Sequence, residues 1–577
     1  MKRLLSVILC VMFCLSARAE WKWHNPVEAG FPIIQNQGWP DEIGKTYVRL
    51  PDRAKDEVRP QVWNLSRNSS SLAIYFYCNS PEIRVRYQVS GEMNMPHMPS
   101  TGVSGVDLYS IDSEGTANFC TGGFYFSDTI QYHYTNLGKD KYHNRGFEYR
   151  LYLPLYNTVK WLEIGTMDDA EIQFIPRSEE KPIVIYGTSI VHGACSSRPA
   201  MSWANILQRK FDYPLINFGF SGNGLLEKNV LNYIIEQDAR IYILDCMPNL
   251  LDRPAEEVTN LVIAAVKQIR EKRNAPILLV EHAGYSNGAT NSFEYERYTR
   301  TNAASRKGYE ALLEEGVKDV FYLTHDELGL PSDAWVDAVH PSDFGASCQA
   351  AAVEKKVRSI LHLPIGDRPT TRPVTQRREP NNYEWQTRHR DILKHVKETQ
   401  PKAVIIGNSI THFWGGEPAG PKSNGPESWK KIMKPAGFQN LGYGWDRIEN
   451  VLWRIYHGEL DGYTADKVVL MIGTNNMGFS SDEDIVEGLR FLISAVRQRQ
   501  PKATIKVIGI LPRREHEDWV KNINLRIHAM TNDEGCVFSD AGKALLLGSG
   551  KIDESLFSDG LHPNEKGYQA IAKTIAE

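Results

Sequence analysis

The strongest constraint on this chain is that it carries one ordered set of residues twice. Gly187-Thr188-Ser189-Ile190 follows a short apolar run, and Gly407-Asn408-Ser409-Ile410 follows another. Asp337-Ala338-Val339-His340-Pro341 places its histidine 151 residues after the first serine. Asp559-Gly560-Leu561-His562-Pro563 places its own 153 after the second. Between them stand Asn249, 60 residues past Ser189, and Asn475, 66 past Ser409. Alone, a G-x-S fits a helix-capping serine, and an Asp-x-x-His fits ordinary surface polarity. Recurrence of the set in order and at near-equal spacing selects a function-bearing module used twice.

The surroundings of both sets alternate strand and helix. Ile183–Tyr186, Ile241–Leu244 and Ile277–Val280 are continuous apolar runs, as in strands buried on both faces. A helical stretch starts near Trp203, and Val258, Leu261, Val262, Ala265 and Ile269 recur at helical spacing. After Pro364 the pattern stops, and Asp367–Pro380 is rich in Pro, Arg and Thr without periodicity, which predicts a linker. The alternation then resumes with strands at Val404–Ile406, Val468–Ile472 and Ile505–Ile510 and a helix through Ile485, Leu489, Leu492 and Val496. Two parallel sheets with helices on both faces are expected. Before Lys181 the texture differs: Leu72–Tyr77, Glu82–Val89 and Phe147–Leu153 read as strands, which predicts a β-sandwich of jelly-roll kind. The expected organisation is a signal peptide at 1–19, a β-sandwich domain at 20–178, a first α/β/α domain at 179–362, a linker at 363–380 and a second α/β/α domain at 381–577.

Lys2 and Arg3, the apolar stretch Leu4–Leu15 and Ala17-Arg18-Ala19 have the layout of an export signal. Export to the periplasm or medium is expected. A lipoprotein reading is disfavoured because Leu9 and Phe13 precede Cys10 and Cys14. No other stretch is long and apolar enough to span a membrane. Without the leader, 63 basic residues stand against 70 acidic ones, so a nucleic-acid partner is not expected. The six remaining cysteines show no C-x-x-C spacing and do not read as zinc ligands. Cys78 and Cys120 could pair within one domain, although buried free thiols are the favoured reading.

The residue types suit acyl transfer. A serine hydroxyl needs a base to take its proton, histidine suits that task near neutral pH, and a carboxylate on the other ring nitrogen fixes the tautomer. The serine follows a buried parallel strand, where open α/β sheets place their sites, and near a helix N-terminus. An asparagine side chain can donate to an oxyanion. No cofactor and no metal is required. His97, within Met93-Asn94-Met95-Pro96-His97-Met98, has no second ligand nearby in sequence.

Both halves resemble the SGNH/GDSL hydrolase family. The resemblance implies a flavodoxin-like α/β/α fold, and it assigns Ser189, Asp337 and His340, and Ser409, Asp559 and His562, as catalytic. It assigns Gly222 and Asn249, and Trp445 and Asn475, to the oxyanion holes. The residue before each serine, Thr188 or Asn408, departs from G-D-S. Asn249 lies in Asp245-Cys246-Met247-Pro248-Asn249 rather than in G-x-N, and Trp445 occupies the place of the family's block II glycine, with Gly444 as the other candidate. Asn440–Asp446, Val451-Leu452-Trp453-Arg454, Gly473-Thr474-Asn475-Asn476 and the preceding helix at Trp385–Val396 are similar to the catalytic subunits of intracellular platelet-activating-factor acetylhydrolase. Gly105-Val106-Asp107-Leu108-Tyr109 resembles the G-x-D-L-Y signature of a domain that precedes some bacterial SGNH hydrolases.

Arg198, in a loop expected over the first site, could hold an acidic or hydroxylated substrate. Trp414 and Trp445 could form an aromatic wall at the second. His192 and His412, three residues after the serines, could face the sites or pack. The expected function is an exported serine esterase that removes small acyl groups from acetylated glycans at two sites. A lysophospholipase or thioesterase, and a glycan-binding protein with one inactive module, are the alternatives.

Overall fold

The computed structural model describes residues 20–138, 142, 145–378 and 383–577; the expected leader, 1–19, lies outside them. Each repeat forms a five-stranded, wholly parallel sheet. In the first, the order across the sheet is Leu215–Gly219, Ile183–Gly187, Ile241–Asp245, Ile277–Val280, Val320–Leu323. In the second it is Phe438–Gly442, Ala403–Gly407, Lys467–Met471, Thr504–Ile508, Val537–Ser539. Both follow the doubly-wound order 2-1-3-4-5. Alternate residues of one strand feed opposite cores, as period-two geometry requires. Ile183 and Ile185 face the helices Trp203–Phe211 and Asp343–Leu361, while Val184 and Tyr186 face Lys228–Ile234, Ala255–Arg270 and Ser292–Glu314. The second and fifth strands of each sheet were not singled out in the sequence.

The two modules are not strung apart. One apolar cluster runs from the Trp203 and Asp343 helices of the first into Ile448–Tyr456 and Asp482–Arg499 of the second. Tyr213 donates its hydroxyl to the Tyr456 carbonyl at 2.6 Å, and His457 lies 2.9 Å from Glu180. The described part of the segment expected as a linker, 363–378, is itself packed between domains. Thr370, Thr371, Thr375, Gln376, Arg377 and Arg378 are buried. Its lack of periodicity reflects an irregular path through the interior, where Thr370, Gln376 and Arg377 find partners in Asp484, Asp446 and Glu148.

The N-terminal region is mostly strands, in two antiparallel sheets whose inner residues share one cluster, among them Ile83, Val85 and Tyr87 from one sheet and Ile74, Phe76, Leu108 and Leu151 from the other. Residues 39–63 depart from this. Helix Pro60–Ser66 and its approach put Trp39, Leu50, Val58 and Val62 against Tyr186 and Phe218 of the first module, so part of the expected β domain covers its neighbour. Cys78 and Cys120 are free thiols, as are the other four cysteines described.

The G-x-D-L-Y signature is a clamp between domains. Buried Asp107 takes Arg198 at 2.9 Å and the Ala200 N–H at 2.7 Å, and the Tyr109 hydroxyl accepts from Arg198 at 3.0 Å. Leu108 fills the core. Gly105 is required because a Cβ there would sit 2.4 Å from the Thr101 carbonyl oxygen. A second clamp joins the same region to the entry of the second module. Fully buried Glu148 bridges Arg150 at 2.9 Å and Arg377 at 2.6 Å. Burial alone would raise its carboxyl, but the two guanidinium charges and their hydrogen bonds hold it down to about 2. A carboxyl depressed from 4.5 contributes stability that is fully present above pH 4.5 and lost as pH falls through 2. The contribution is on the order of 3 kcal/mol. Thermal melts of wild type and Glu148→Gln should therefore differ clearly at pH 7 and converge as the pH approaches 2.

Candidate active site

Each serine opens a single helical turn at the carboxyl end of its sheet's first strand. Ser189 begins Ser189–His192 and Ser409 begins Ser409–His412. The residue before it is the N-cap: the Thr188 side chain accepts from the Ile190 N–H at 3.3 Å, and that of Asn408 accepts from Ile410 at 3.0 Å. Thr and Asn cap as Asp does, which explains why this position tolerates change. One turn has little macrodipole, so what it offers is its individual free N–H groups.

The histidines come from loops that close on themselves. Trp335 pairs with Pro341 and Phe557 with Pro563 in isolated bridges, and helices capped by Ser342 and Asn564 follow at once. Within each loop the aspartate's Oδ1 accepts two backbone N–H groups, from Val339 and His340 in one and Leu561 and His562 in the other. Its Oδ2 receives the histidine Nδ1, at 2.8 Å for Asp337–His340 and 2.7 Å for Asp559–His562. Burial would raise these carboxyls, but the hydrogen bonds and the histidine charge hold both below the usual aspartate value. With Nδ1–H committed to a carboxylate, Nε2 is the acceptor. It lies 2.8 Å from the serine Oγ in both modules, His340 on Ser189 and His562 on Ser409.

Strand register fixes the remaining positions. Gly187 is level with Gly219 and Asp245, and Gly407 with Gly442 and Met471. Three residues beyond the second strand stand Gly222, at φ +68, and Trp445, at φ +61. Four beyond the third strand stand Asn249 and Asn475. Asn249 is thus the counterpart of Asn475 despite its different motif. The Asn249 Oδ1 accepts from Gly224 at 3.0 Å, and the Asn475 Nδ2 donates to the Asp446 carbonyl at 3.1 Å, so each amide is held against its block II loop. Among the described residues the N–H groups of Gly222 and Trp445 meet no protein acceptor, which leaves them available to a ligand. That of Gly444 donates to His412 Nδ1 at 3.1 Å, which removes Gly444 as the oxyanion candidate.

A tryptophan in the left-handed region is strained and persists only where its surroundings over-determine it. Here buried Asp446 does so. It accepts Gln376 and Trp385 at 3.0 and 2.7 Å and pairs with buried Arg454 at 2.9 Å. Arg454 in turn pairs with Glu459 at 2.6 Å. The Trp445 ring itself is 47% exposed beside the site.

Two expected substrate contacts are corrected. Trp414 is fully buried, stacked on Tyr568 and donating to Ser428 Oγ at 3.0 Å. It packs the core behind the serine turn. Arg198 is turned away into the Asp107–Tyr109 clamp with Phe119 against its guanidinium, 3.9 Å from ring centre. His192 and His412 are buried packing groups: His192 stacks on Tyr156 and reaches the Leu155 carbonyl at 2.9 Å, and burial lowers both rings' basicity well below normal.

Sequence reasoning missed what the N-terminal domain adds to the first site. The Tyr156 hydroxyl donates to the Ser189 carbonyl at 3.2 Å, and the His97 ring lies over that of His340 with centroids 5.7 Å apart. No local motif marks either contact. In the second module Phe413 takes the corresponding place against His562, at 5.4 Å.

The GDSL-like Lipase/Acylhydrolase family matches residues 180–358 and again 405–570, and the N-terminal domain of SGNH-hydrolase-type esterases matches 21–172. The chain belongs to the SGNH/GDSL hydrolases, with two such modules. A protein from Bacteroides ovatus ATCC 8483 described as a GDSL-like lipase is 30% identical over 59% of this chain and 98% of its own, with a TM-score of 0.55. Platelet-activating factor acetylhydrolase IB subunit alpha1 from Bos taurus is 27% identical over 36% of this chain and 88% of that protein; the Homo sapiens protein is 26% identical over the same shares. The chain is an enzyme of the esterase/acylhydrolase class.

Trp445→Gly keeps the N–H donor and relieves the strained backbone. It should leave kcat of the second module nearly unchanged, raise KM for bulky esters, and raise thermal stability by about 1 kcal/mol. Asn475→Ala should instead lower kcat about 10²–10³-fold with little change in KM. Steady-state kinetics in a Ser189→Ala background reads both.

Proposed function

We propose that this protein is an exported two-site serine esterase that releases O-acetyl or similar small acyl groups from carbohydrates. The observation that carries the reading is the duplicated relay, with serine, histidine and aspartate in contact at 2.7–2.8 Å in both modules. In each, the serine Oγ attacks the ester carbonyl as Nε2 takes its proton, and the aspartate stabilises the imidazolium. The serine N–H, the Gly222 or Trp445 N–H and the Asn249 or Asn475 amide receive the oxyanion. The histidine then protonates the leaving alcohol, and the acyl-enzyme forms. Water activated by the same histidine releases the acid and frees the serine.

Small acyl groups are favoured because a relative is named for acetyl hydrolysis. A sugar alcohol is favoured by exposed rings at the second site: Trp445, and Phe479, which is 71% exposed and carries Arg447 at 3.8 Å from its centre. Such rings suit a sugar face. Export rests on the leader-like N-terminus. The two N-terminal sheets are read as a jelly-roll-like β-sandwich, and 20–178, 179–362, 363–380 and 381–577 as the working division of the chain.

The test is acetate release from a panel of acetylated polysaccharides and acetylated sialic acids by wild type, Ser189→Ala, Ser409→Ala and the double variant. Each single variant should lose a different part of the release, by at least about 10³-fold on its own substrates, and the double variant should lose all of it. A single variant that changes nothing would mark that module as inactive. No release from any glycan, with turnover of short-chain phospholipid or thioester substrates, would replace the carbohydrate reading.

A further inference from the structure

Against His340 of the first relay lie two side chains, His97 and Cys195, that ester hydrolysis does not need. One ligand atom each from His97, Cys195 and His340 lie within 4.8 Å of one another, the one such cluster of three or more metal-binding side chains found among the described residues. They arrive from three distant segments. His97 sits on the N-terminal domain's loop, pinned where Met95 and Met98 exchange backbone hydrogen bonds at 3.1 and 3.0 Å. Cys195 follows the serine turn, buried and at φ +64, a backbone that a non-glycine residue adopts only under constraint. His340 is the relay base.

We propose that His97, Cys195 and His340 form a binding site for a thiolate-seeking divalent cation such as zinc, and that its occupation shuts the first active site while sparing the second. Two imidazoles and one thiolate are a donor set suited to zinc or cobalt rather than to magnesium or calcium. Tetrahedral coordination brings such atoms to roughly 3.5 Å apart, a closure within reach of side-chain rotation. His97 is exposed, so the fourth position opens to solvent. Asp337 already holds His340 Nδ1 at 2.8 Å, the carboxylate–histidine support that metal-bound imidazoles use. The cation takes the Nε2 lone pair, the hydrogen bond from the Ser189 hydroxyl breaks, and the Cys195 thiol releases its proton to solvent as it ligates. Ser189 is then left without a base.

The second site cannot do this. Cys195 stands six residues after Ser189, and Gly415 stands six after Ser409. The ring against His562 is that of Phe413, which has no ligand atom. The cation site rests on geometry alone; its inhibitory effect rests on the catalytic reading of Ser189 and His340 given above.

Two measurements on the full-length protein separate these points. Cobalt(II) titration should produce a near-ultraviolet thiolate-to-metal charge-transfer band that Cys195→Ser removes and zinc displaces. No band, or one unchanged by Cys195→Ser, overturns the site. Zinc titration of p-nitrophenyl acetate hydrolysis should silence the Ser409→Ala chain by at least about 100-fold, reversibly with EDTA, and leave the Ser189→Ala chain unaffected. Adding Cys195→Ser or His97→Ala to the Ser409→Ala chain, each scored against its own metal-free rate, should blunt the inhibition. Equal inhibition of both single-site chains overturns selective control. A cobalt band without inhibition of the Ser409→Ala chain overturns the proposed shut-off.

Discussion

Both sites depend on three parallel strands that end level with one another. Gly187, Gly219 and Asp245 lie in register, as do Gly407, Gly442 and Met471. From that common edge the chain runs one residue to a cap and two to a serine, three to a left-handed residue, and four to an asparagine. The glycines let the serine turn approach: a Cβ on Gly219 would sit 2.3 Å from the His192 nitrogen, and one on Gly442 equally close to His412. Shifting any of the three strands by one residue would flip its side chains between the two cores and separate the groups that must meet on one substrate.

How much of this was legible depended on how local the signal is. The serine turns and the Asp-x-x-His loops are set by residues within four positions of one another, so their chemistry is written in order along the chain. In the first module the first, third and fourth strands are continuous apolar runs and stand out for the same reason. Asn249 stands in an altered motif, so its assignment comes from the resemblance and from spacing, and the pairing of its strand with Ile183–Gly187 then gives it the position that Asn475 holds in the second module. Trp414 and Arg198 show the opposite failure. An aromatic or a cation near a serine reads as substrate-facing, yet a side chain's direction is decided by neighbours far away in sequence, here Tyr568 and Asp107. The expected linker fails likewise over its described residues, 367–378, because an irregular segment packed between domains and a solvated tether share a composition.

The N-terminal sheets are more than an appendage. They hold the first module through Asp107 and the second through Glu148 and through Glu114, which reaches Arg447 at 2.7 Å. Arg447 is the residue that touches the Asn475 carbonyl at 3.2 Å. They also lend His97 and Tyr156 to the first site. The same small region therefore contacts the catalytic neighbourhood of both modules. The two sites thus differ at the relay histidine, with a phenyl ring against His562 and an imidazole against His340.

The apolar cluster that joins the modules has a further meaning. Because the Trp203 and Ile448 helices bury their faces in a common interior, neither repeat owns a closed surface of its own. A module transplanted alone into another protein would arrive with an uncovered oily flank. The two sites must therefore travel together, present in equal number and at fixed separation on every molecule.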